Sequence, residues 1–215
     1  MENLFFENKS SSIAPHNING KTIFKNKFPL IFQHQVHKNR GLFVTEKNLE
    51  TCKRCLTIES DYLITNLPHV YIGVLTADCL PIALHDTKNK AIGIIHAGWR
   101  GTVNKILLNA IEHMNKEFGT DLENLNVFFG PCAHPCCYDV DKPFVDQLPS
   151  WANRALKKNC FDLVKCNEIL LQQIGLPSRN INKEKTSCTI CNDQYCSHRR
   201  DPACKARQMN IICLQ

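Results

Sequence analysis

Short apolar runs, several of them rich in Val, Ile, Phe or Tyr, recur along the chain and set narrow limits on its fold. Their lengths are typical of β-strands rather than of helices, and several are bounded by turn-forming residues. The predicted strands cover residues 29–36, 62–65, 70–75, 80–84, 91–95 and 125–129, and the run Ile211-Ile212-Cys213-Leu214 predicts a last strand that completes a sheet.

Two longer segments follow a helical period instead. After the turn Gly98-Trp99-Arg100-Gly101-Thr102, apolar residues recur at three-and-four spacing from Val103 to Phe118, and Gly119 provides a stop. A second helix is predicted from Asp162 to Ile174, and a third over 142–156, interrupted by Pro149. With no internal repeat, these patterns predict an α+β fold in one domain, with a mixed β-sheet covered by helices and active-site loops at one rim.

The length of 215 residues suits one such domain. No apolar run approaches the roughly 20 residues that cross a bilayer, and the first residues lack a basic leader, so we expect a cytoplasmic protein with no membrane partner. The formal net charge of +6 favours anionic ligands. Its basic residues are scattered, apart from Lys21 to Lys27 and Lys157-Lys158, and accompany no RNA-binding motif, so nucleic acid is not the expected partner.

The chain has 13 cysteines, an odd and high number for a sequence without a secretory signal. A complete disulfide framework is therefore not expected, and reduced thiols or metal ligands are favoured. The default role of most of these residues is that of a small buried apolar side chain.

Three segments carry most of the reactive side chains, and each lies at the end of a predicted strand. They are His34-Gln35-Val36-His37, Thr76-Ala77-Asp78-Cys79 and His96-Ala97-Gly98-Trp99-Arg100. If the strand ends share one rim, His37, Cys79 and His96 meet there. Two imidazoles and a thiolate suit Zn²⁺ and leave its fourth position open for water or substrate.

Two other interpretations of these residues stay open on spacing alone. The histidines could be hydrogen-bonded core residues, or Cys79 could be a nucleophile with His96 as its base. Near them, Gly98 and Gly101 allow the backbone to approach a ligand, and a helix that starts near Thr102 would bind an anion beside Arg100. The alternative is a turn shaped by backbone geometry, with Thr102 as N-cap and Trp99 packed against the sheet.

Other cysteines form weaker patterns. The Pro-rich loop 130–140 is interpreted as a pocket wall, although Cys132, His134 and Cys136 could bind a second metal. Cys-x-x-Cys pairs occur at 52–55 and 188–191, but they lie too far apart for an ordinary zinc ribbon. Arg199 and Arg200 could clamp a phosphate or carboxylate together, or form an exposed ion-pair cluster with Asp201.

Taken together, the motifs resemble the zinc-dependent purine nucleoside phosphorylase family, once described as polyphenol oxidase or laccase-domain proteins. The resemblance extends from about Ile31 to the end and leaves 1–28 as a shortened, weakly matching N-terminal segment of a single domain covering 1–215. The motifs that carry it are Thr76-Ala77-Asp78-Cys79, His96-Ala97-Gly98-Trp99-Arg100-Gly101, the Gly130-Pro131 loop ending in Cys136-Cys137-Tyr138, Asp61-Tyr62-Leu63-Ile64-Thr65, and Cys188-Thr189 leading to Arg199-Arg200-Asp201.

This resemblance implies an α+β fold and a catalytic zinc ion held by His37, Cys79 and His96. The implied reaction is phosphorolysis of adenosine, guanosine, inosine or methylthioadenosine to a free base and ribose 1-phosphate, with adenosine deamination also known in the family. We expect Arg100 and Arg199 to bind the substrates, which are a purine nucleoside and phosphate. A monomer and a homodimer are both compatible with the sequence.

Asp78 adjoins a ligand position, where it would orient that ligand, accept a proton or pack at the turn. Lys38 follows His37 where the family usually has Gly. Two other functions fit the same residues: editing of peptidoglycan precursors by amide hydrolysis, and a catalytically inactive basic binding or scaffold protein. Laccase chemistry fits less well, because it needs more histidine ligands than these positions outline.

Overall fold

The computed structural model describes residues 4–9, 28–53 and 56–215, and within them the chain has the predicted α+β architecture. The strands are β1 (Leu4–Phe6), β2 (Leu30–Ile31), β3 (Gly41–Phe43), β4 (Tyr62–Thr65), β5 (Tyr71–Thr76), β6 (Leu80–Asp86), β7 (Ala91–Ala97), β8 (Leu125–Phe129), β9 (Leu156–Lys157), β10 (Cys160–Phe161), β11 (Ile181–Asn182) and β12 (Gln208–Cys213). The helices are α1 (Leu49–Cys52), α2 (Trp99–Val103), α3 (Ile106–Phe118), α4 (Lys142–Val145) and α5 (Leu163–Gln173).

Most strands belong to two mixed sheets, where the sequence suggested one. The larger sheet has the order β11-β8-β6-β7-β4-β3, and the smaller has the order β1-β12-β5-β2. The larger sheet is antiparallel at its centre and parallel at both edges, where β3 joins β4 and β11 joins β8. Strands β9 and β10 form a separate hairpin.

The core lies on both faces of the larger sheet, and this gives the domain three layers. One face packs on helices α3 and α5, with Ile64, Ile82 and Ile95 against the buried side of α3. The opposite face packs on the smaller sheet, and this contact brings Ile92 and Ile94 together with Ile72. Because β7 is buried on both faces, its sequence is a continuous apolar run rather than an alternating one.

The predicted helix after residue 98 is confirmed, but it is divided into two. Helix α2 begins after the N-cap Gly98, so Thr102 lies inside the helix and is not its cap. Lys105 adopts a left-handed φ of 58° and separates α2 from α3, which ends as predicted at Gly119 with φ 68°. The second predicted helix is α5, whose N-cap Asp162 accepts a hydrogen bond from the Lys165 N–H.

The predicted helix over 142–156 is replaced by two short elements on either side of Pro149, namely α4 and the 3-10 segment Ser150–Ala155. The predicted strand over 29–36 is regular only at β2. Among the described residues, no helix has the length and hydrophobicity needed to span a membrane. The basic cluster Lys21 to Lys27 lies outside the described residues.

Candidate active site

The register of the larger sheet explains why distant residues meet at one rim. In the antiparallel pair of β6 and β7, Leu80 lies opposite Ala97, so Cys79 and His96 reach the same end of the sheet. On the other side of β7, the backbone N–H of His96 donates to the carbonyl of Asp61, which directly precedes β4. Strand β3 continues this edge, because the Asp61 N–H donates to the carbonyl of Arg40.

The buried carboxylate of Asp61 shapes the loop that carries His37. It accepts hydrogen bonds from three consecutive backbone N–H groups, those of Val36, His37 and Lys38, at 3.3, 2.9 and 2.8 Å. Within this loop His37 adopts a left-handed φ of 58°, which costs energy for a residue with a side chain. The hydrogen bonds to Asp61 offset that cost and point the loop toward β7.

The three predicted ligands are brought together. One side-chain donor atom from each of His37, Cys79 and His96 lies within 4.8 Å of the other two. The two imidazole rings meet edge to face with centroids 4.7 Å apart. Because His37 is exposed, it is not a core histidine, whereas His96 is buried.

Gly98 leaves room for the sulfur of this cluster. A Cβ atom at position 98 would lie 2.9 Å from the Sγ atom of Cys79, which is closer than real Cβ atoms approach other groups. Gly101 is constrained in the same way by the loop that carries His37, since a Cβ there would lie 3.1 Å from the carbonyl oxygen of Lys38. Both glycines therefore permit close packing.

The charged groups of the cluster stabilise one another's ionised forms. The Nδ1 atom of His96 lies 2.9 Å from a carboxylate oxygen of Asp61, which can only accept, so Nδ1 carries the proton and Nε2 is left for the cluster. Burial lowers the pKa of His96, but the Cys79 thiolate and Asp61 outweigh burial and raise that pKa to about 9. Burial raises the pKa of Cys79, but the charge of His96 and hydrogen bonds from both histidines bring it down to about 6.

A thiolate and two imidazoles at this spacing could hold a divalent metal ion with an open coordination position. The same contact between Cys79 and His96 also fits the thiolate–imidazolium pair of a cysteine nucleophile. Both chemistries proposed from the sequence therefore have their groups in contact.

The cluster lies in a cavity of about 550 Å³, a size typical of small-molecule sites. Three guanidinium side chains line it, those of Arg100, Arg199 and Arg207. The Arg100 guanidinium stacks on Trp99, 4.5 Å from the ring centroid, and Arg199 lies 5.2 Å from the ring centroid of Tyr138. The cavity thus combines a candidate metal-binding cluster, cationic groups and aromatic surfaces.

Asp78 connects this cavity to the C-terminal part of the chain. Its carboxylate accepts hydrogen bonds from the Thr189 hydroxyl and the Arg199 backbone N–H, each at 2.7 Å. Its carbonyl accepts from the N–H of Ala133 at 2.8 Å. Because both carboxylate oxygens already accept a hydrogen bond, the geometry favours packing at the turn among the three roles that the sequence left open for Asp78.

The predicted clamp of two guanidinium groups does not form. Arg199 faces the cavity, where its Nη1 donates to the carbonyl of Asp139. Arg200 turns away and donates to backbone carbonyls, among them those of Thr189 and Ile190. Within the described part of the chain, neither arginine forms an ion pair with Asp201.

The cysteine patterns combine in a way that the sequence did not predict. Cys188 and Cys191 lie beside Cys136 and Cys137, and not beside Cys52 of the first Cys-x-x-Cys pair. Of that first pair, Cys52 is buried in the core between the two sheets, and Cys55 lies outside the described residues. In loop 130–140, Tyr138 lines the cavity as a pocket wall would, whereas Cys132 and His134 do not join the cluster of four thiols.

Sequence reasoning missed the role of Asp61. The available signal was an aspartate directly before a fully buried strand, a position where a carboxylate needs several hydrogen-bond donors. Thr189 was missed for a different reason, since nothing in the sequence connects its hydroxyl with Asp78, more than a hundred residues away.

Several known proteins are similar to this chain over most of its length. The family model described as multi-copper polyphenol oxidoreductase laccase matches residues 17–215. The human protein named purine nucleoside phosphorylase LACC1 is 34% identical over 72% of this chain and 38% of its own length. A purine nucleoside phosphorylase of Aquifex aeolicus is 34% identical over 73% of this chain and 72% of its own length. The adenosine deaminase RL5 of an unknown prokaryotic organism is 30% identical over 75% of this chain and 66% of its own length.

Solved structures of similar proteins share the fold. The hypothetical protein YfiH of Bacillus licheniformis superposes with a TM-score of 0.77 at 28% identity, over 88% of this chain and 76% of that protein. YlmD of Geobacillus stearothermophilus gives a TM-score of 0.75 at 26% identity, over 87% of this chain and 74% of that protein.

The chain spans 38% of the length of the human relative and 67% of the length of a purine nucleoside phosphorylase of Clostridium acetobutylicum.

Proposed function

This chain belongs to the family described as multi-copper polyphenol oxidoreductase laccase, and from that premise we propose that it is a zinc-dependent purine nucleoside phosphorylase. The observation that carries the proposal is the position of the His37, Cys79 and His96 cluster in a cavity that also presents arginine and aromatic side chains. The substrates would be a purine nucleoside and phosphate. The names of several relatives support the same reaction class.

Zinc is proposed because the donor atoms fit it. Imidazole nitrogens and thiolates are both ligands of catalytic zinc, and three protein ligands leave one position open. Asp61 orients His96 as a carboxylate partner does in many zinc sites. Zinc held by these three residues would supply Lewis acidity at its open position. A multicopper centre needs more histidines than this cluster contains, and the other candidate cluster within the described residues has none.

Phosphate would bind at the cationic side of the cavity. Arg100 forms no ion pair with a carboxylate of the described residues, so its guanidinium is available for an anion. Stacking on Trp99 holds that guanidinium in one plane, which favours bidentate contact with phosphate oxygens. Arg199 adds a second positive charge, and its backbone is fixed by Asp78.

The nucleoside would lie beside these arginine–aromatic pairs, within the same cavity. The parts of Trp99 and Tyr138 that the guanidinium groups leave uncovered offer apolar surface to a purine. In the proposed reaction a phosphate oxygen bonds to C1′ of the ribose as the C1′–N9 bond breaks, and the released base takes a proton. The arginines orient the phosphate and stabilise its charge, while Asp61 keeps the proton of His96 on Nδ1.

Adenosine deamination is a second candidate, supported by the relative named adenosine deaminase RL5. Here water adds at C6 of the purine and ammonia leaves, so phosphate is not consumed. The same cavity would hold the base with C6, rather than C1′, toward the cluster. The two reactions are distinguished by their phosphate requirement.

The decisive experiment incubates the purified protein with adenosine, inosine, guanosine or methylthioadenosine, with and without phosphate, and separates the products by chromatography. Phosphorolysis predicts a free base and a sugar 1-phosphate only when phosphate is present, and a His96→Asn variant should form neither. The sugar product is ribose 1-phosphate from the first three nucleosides and methylthioribose 1-phosphate from methylthioadenosine. Phosphate-independent formation of inosine from adenosine would identify a deaminase instead. Metal analysis of the same sample should find zinc rather than copper.

If the protein converts none of the four nucleosides, the proposal is contradicted. The two other functions, peptidoglycan-precursor hydrolysis and an inactive binding protein, would then be tested. Release of an amino acid from a peptidoglycan precursor would support the amide hydrolase. Salt-dependent binding of RNA or DNA, without turnover of any of these substrates, would support the inactive binding protein.

A further inference from the structure

Four cysteine sulfurs from two distant segments converge on the surface of the domain. Cys136 and Cys137 come from the loop after β8, and Cys188 and Cys191 come from the segment after β11. All four Sγ atoms lie within 4.8 Å of one another, and those of Cys136 and Cys191 are 3.9 Å apart. This thiol cluster is separate in composition from the candidate active site, with which it shares no residue.

The backbone holds the two segments together. Cys132 and Cys188 form a parallel β-bridge, in which the Cys132 N–H donates to Ser187 and the Thr189 N–H donates to Cys132. On the first segment, the N–H groups of Cys137 and Tyr138 both donate to the carbonyl of His134, which closes a tight turn. That turn presents two sequence-adjacent thiols toward the second segment.

Arg200 fixes the shape of the Cys-x-x-Cys loop. Its guanidinium donates to the carbonyls of Thr189, Ile190, Asn192 and Tyr195, at distances of 2.5 to 3.2 Å. The N–H group of Cys191 in this loop donates to the Cys188 sulfur, and the N–H group of His134 in the loop after β8 donates to the same sulfur. Hydrogen bonds of this kind stabilise thiolates bound to a metal.

We infer that Cys136, Cys137, Cys188 and Cys191 bind a second zinc ion, which has a structural rather than a catalytic role. Four sulfurs around zinc at about 2.3 Å are separated by about 3.8 Å in a tetrahedron, which is close to the 3.9 Å between Cys136 and Cys191. Four protein ligands close the coordination shell, as structural zinc sites require. Exposed Cys136 and Cys191 give the ion a path from solvent.

The position of this site explains what it would stabilise. Residues 183–207 connect β11 to β12 without a helix or a strand, although they place Arg199 in the cavity. A metal ion that cross-links a long irregular connection reduces its conformational freedom and so stabilises its folded form. The zinc ion would join this connection to the loop that carries Tyr138, and so fix two walls of the active-site cavity at once.

The proposal is tested by metal stoichiometry. Protein purified under reducing conditions with zinc should contain two zinc ions per chain. A Cys188→Ser/Cys191→Ser double variant should retain one, and a His96→Asn variant should also retain one, because the two sites share no ligand. A matched Cys160→Ser/Cys204→Ser variant, outside both clusters, should retain two.

A second readout uses the unmodified protein and does not depend on how any variant folds. Cys136, Cys137, Cys188 and Cys191 should resist alkylation until a chelator is added, as peptide mapping by mass spectrometry would detect. Cobalt substituted for zinc in the unmodified protein should give the intense thiolate-to-metal absorption of a tetrahedral four-sulfur centre.

Either of two results would overturn the inference. One is a single zinc ion per chain that is lost in the His96→Asn variant and unaffected in the double cysteine variant. The other is a Cys136–Cys191 disulfide in protein prepared under reducing conditions with zinc, which would make the cluster a redox pair. Because phosphorolysis is not measured, failure of the proposed enzyme function would leave this test intact.

Discussion

The Nδ1 atom of His96 donates to the carboxylate of Asp61 over 2.9 Å, and that carboxylate also binds the backbone loop of His37. One buried carboxylate therefore sets the tautomer of one imidazole and the position of the other. Its many donors overcome the cost of burial and hold the pKa of Asp61 below its usual value. The two histidines depend on a residue that does not itself join the cluster.

We expect Asp61→Asn to lower the zinc affinity of the site formed by His37, Cys79 and His96 by about 10- to 100-fold. The neutral amide no longer fixes the Nδ1 proton of His96 with a negative charge. Chelator competition would measure the affinity, and thermal melting would check that the variant is folded. Asp78→Asn is the matched control, since this carboxylate adjoins Cys79 in sequence but binds Thr189 and Arg199. Equal loss of affinity in both variants would contradict the role given to Asp61.

Gly98→Ala should displace the Cys79 sulfur, because the new Cβ atom would lie 2.9 Å from it. We expect the variant to fold and to lose most of its bound zinc at the histidine-containing site. Gly93→Ala, on strand β7, is the control, since the atom nearest to its Cβ is the flexible sulfur of Met114 at 3.3 Å. Full zinc content in folded Gly98→Ala protein would show that the sulfur does not need this space.

Arg100→Ala should raise the KM for phosphate by roughly ten- to a hundredfold, which corresponds to one charge-assisted hydrogen-bonding group. Arg100→Lys should recover part of this loss, because a lysine keeps the charge but not the bidentate geometry. Steady-state rates at varied phosphate would measure the effect. Lys116→Ala removes an exposed charge on α3 and should leave this KM unchanged; a similar rise there would indicate a general effect of net charge.

In metal-free protein, alkylation of Cys79 should follow a titration with a midpoint at pH about 6. The sign follows from the lowered pKa, since the reactive thiolate persists at every pH above that midpoint and is lost only below it. Iodoacetamide labelling with peptide mapping would measure the rate across pH. Denatured protein should give the ordinary thiol midpoint near 8.5. A midpoint near 8.5 in the folded, metal-free protein would contradict the contact between the Cys79 thiolate and the His96 imidazolium.

Thr189→Val removes the hydroxyl that donates to Asp78 and leaves a carboxylate oxygen without that partner. We expect a loss of about 1–3 kcal/mol in the free energy of unfolding, measured by urea denaturation. Thr186→Val is the control, because its hydroxyl donates to a carbonyl of its own exposed turn. An equal effect in both would mean that the contact with Asp78 contributes nothing beyond an ordinary threonine substitution.

Much of the fold could be predicted because it depends on local patterns. The runs at β4 to β8 and the helices α3 and α5 were predicted from periodicity, and Gly119 ends α3 as its sequence position indicated. Errors arose where local and tertiary preferences disagree. Lys105 breaks the predicted helix by adopting a left-handed conformation that lysine does not favour on its own.

The residues of the candidate site were predicted by type, but their supporting contacts were not. His37, Cys79 and His96 were expected at strand ends, and the resemblance to a family assigned them to zinc. The partnership of Asp61 with His96 depends on the pairing of β4 with β7. The turning of Arg200 away from Arg199 depends on carbonyls that only the folded loop gathers.

The amino-acid sequence by itself determined the α+β class, the main strands and helices and the set of side chains able to bind a metal, because periodicity and residue chemistry act over a few neighbouring positions. The tertiary structure alone decided the division into two sheets, the buried carboxylate behind His96 and the meeting of Cys136 and Cys137 with Cys188 and Cys191. The physical reason is that strand register and loop packing fix distances between residues far apart in the chain, and no local pattern encodes those distances.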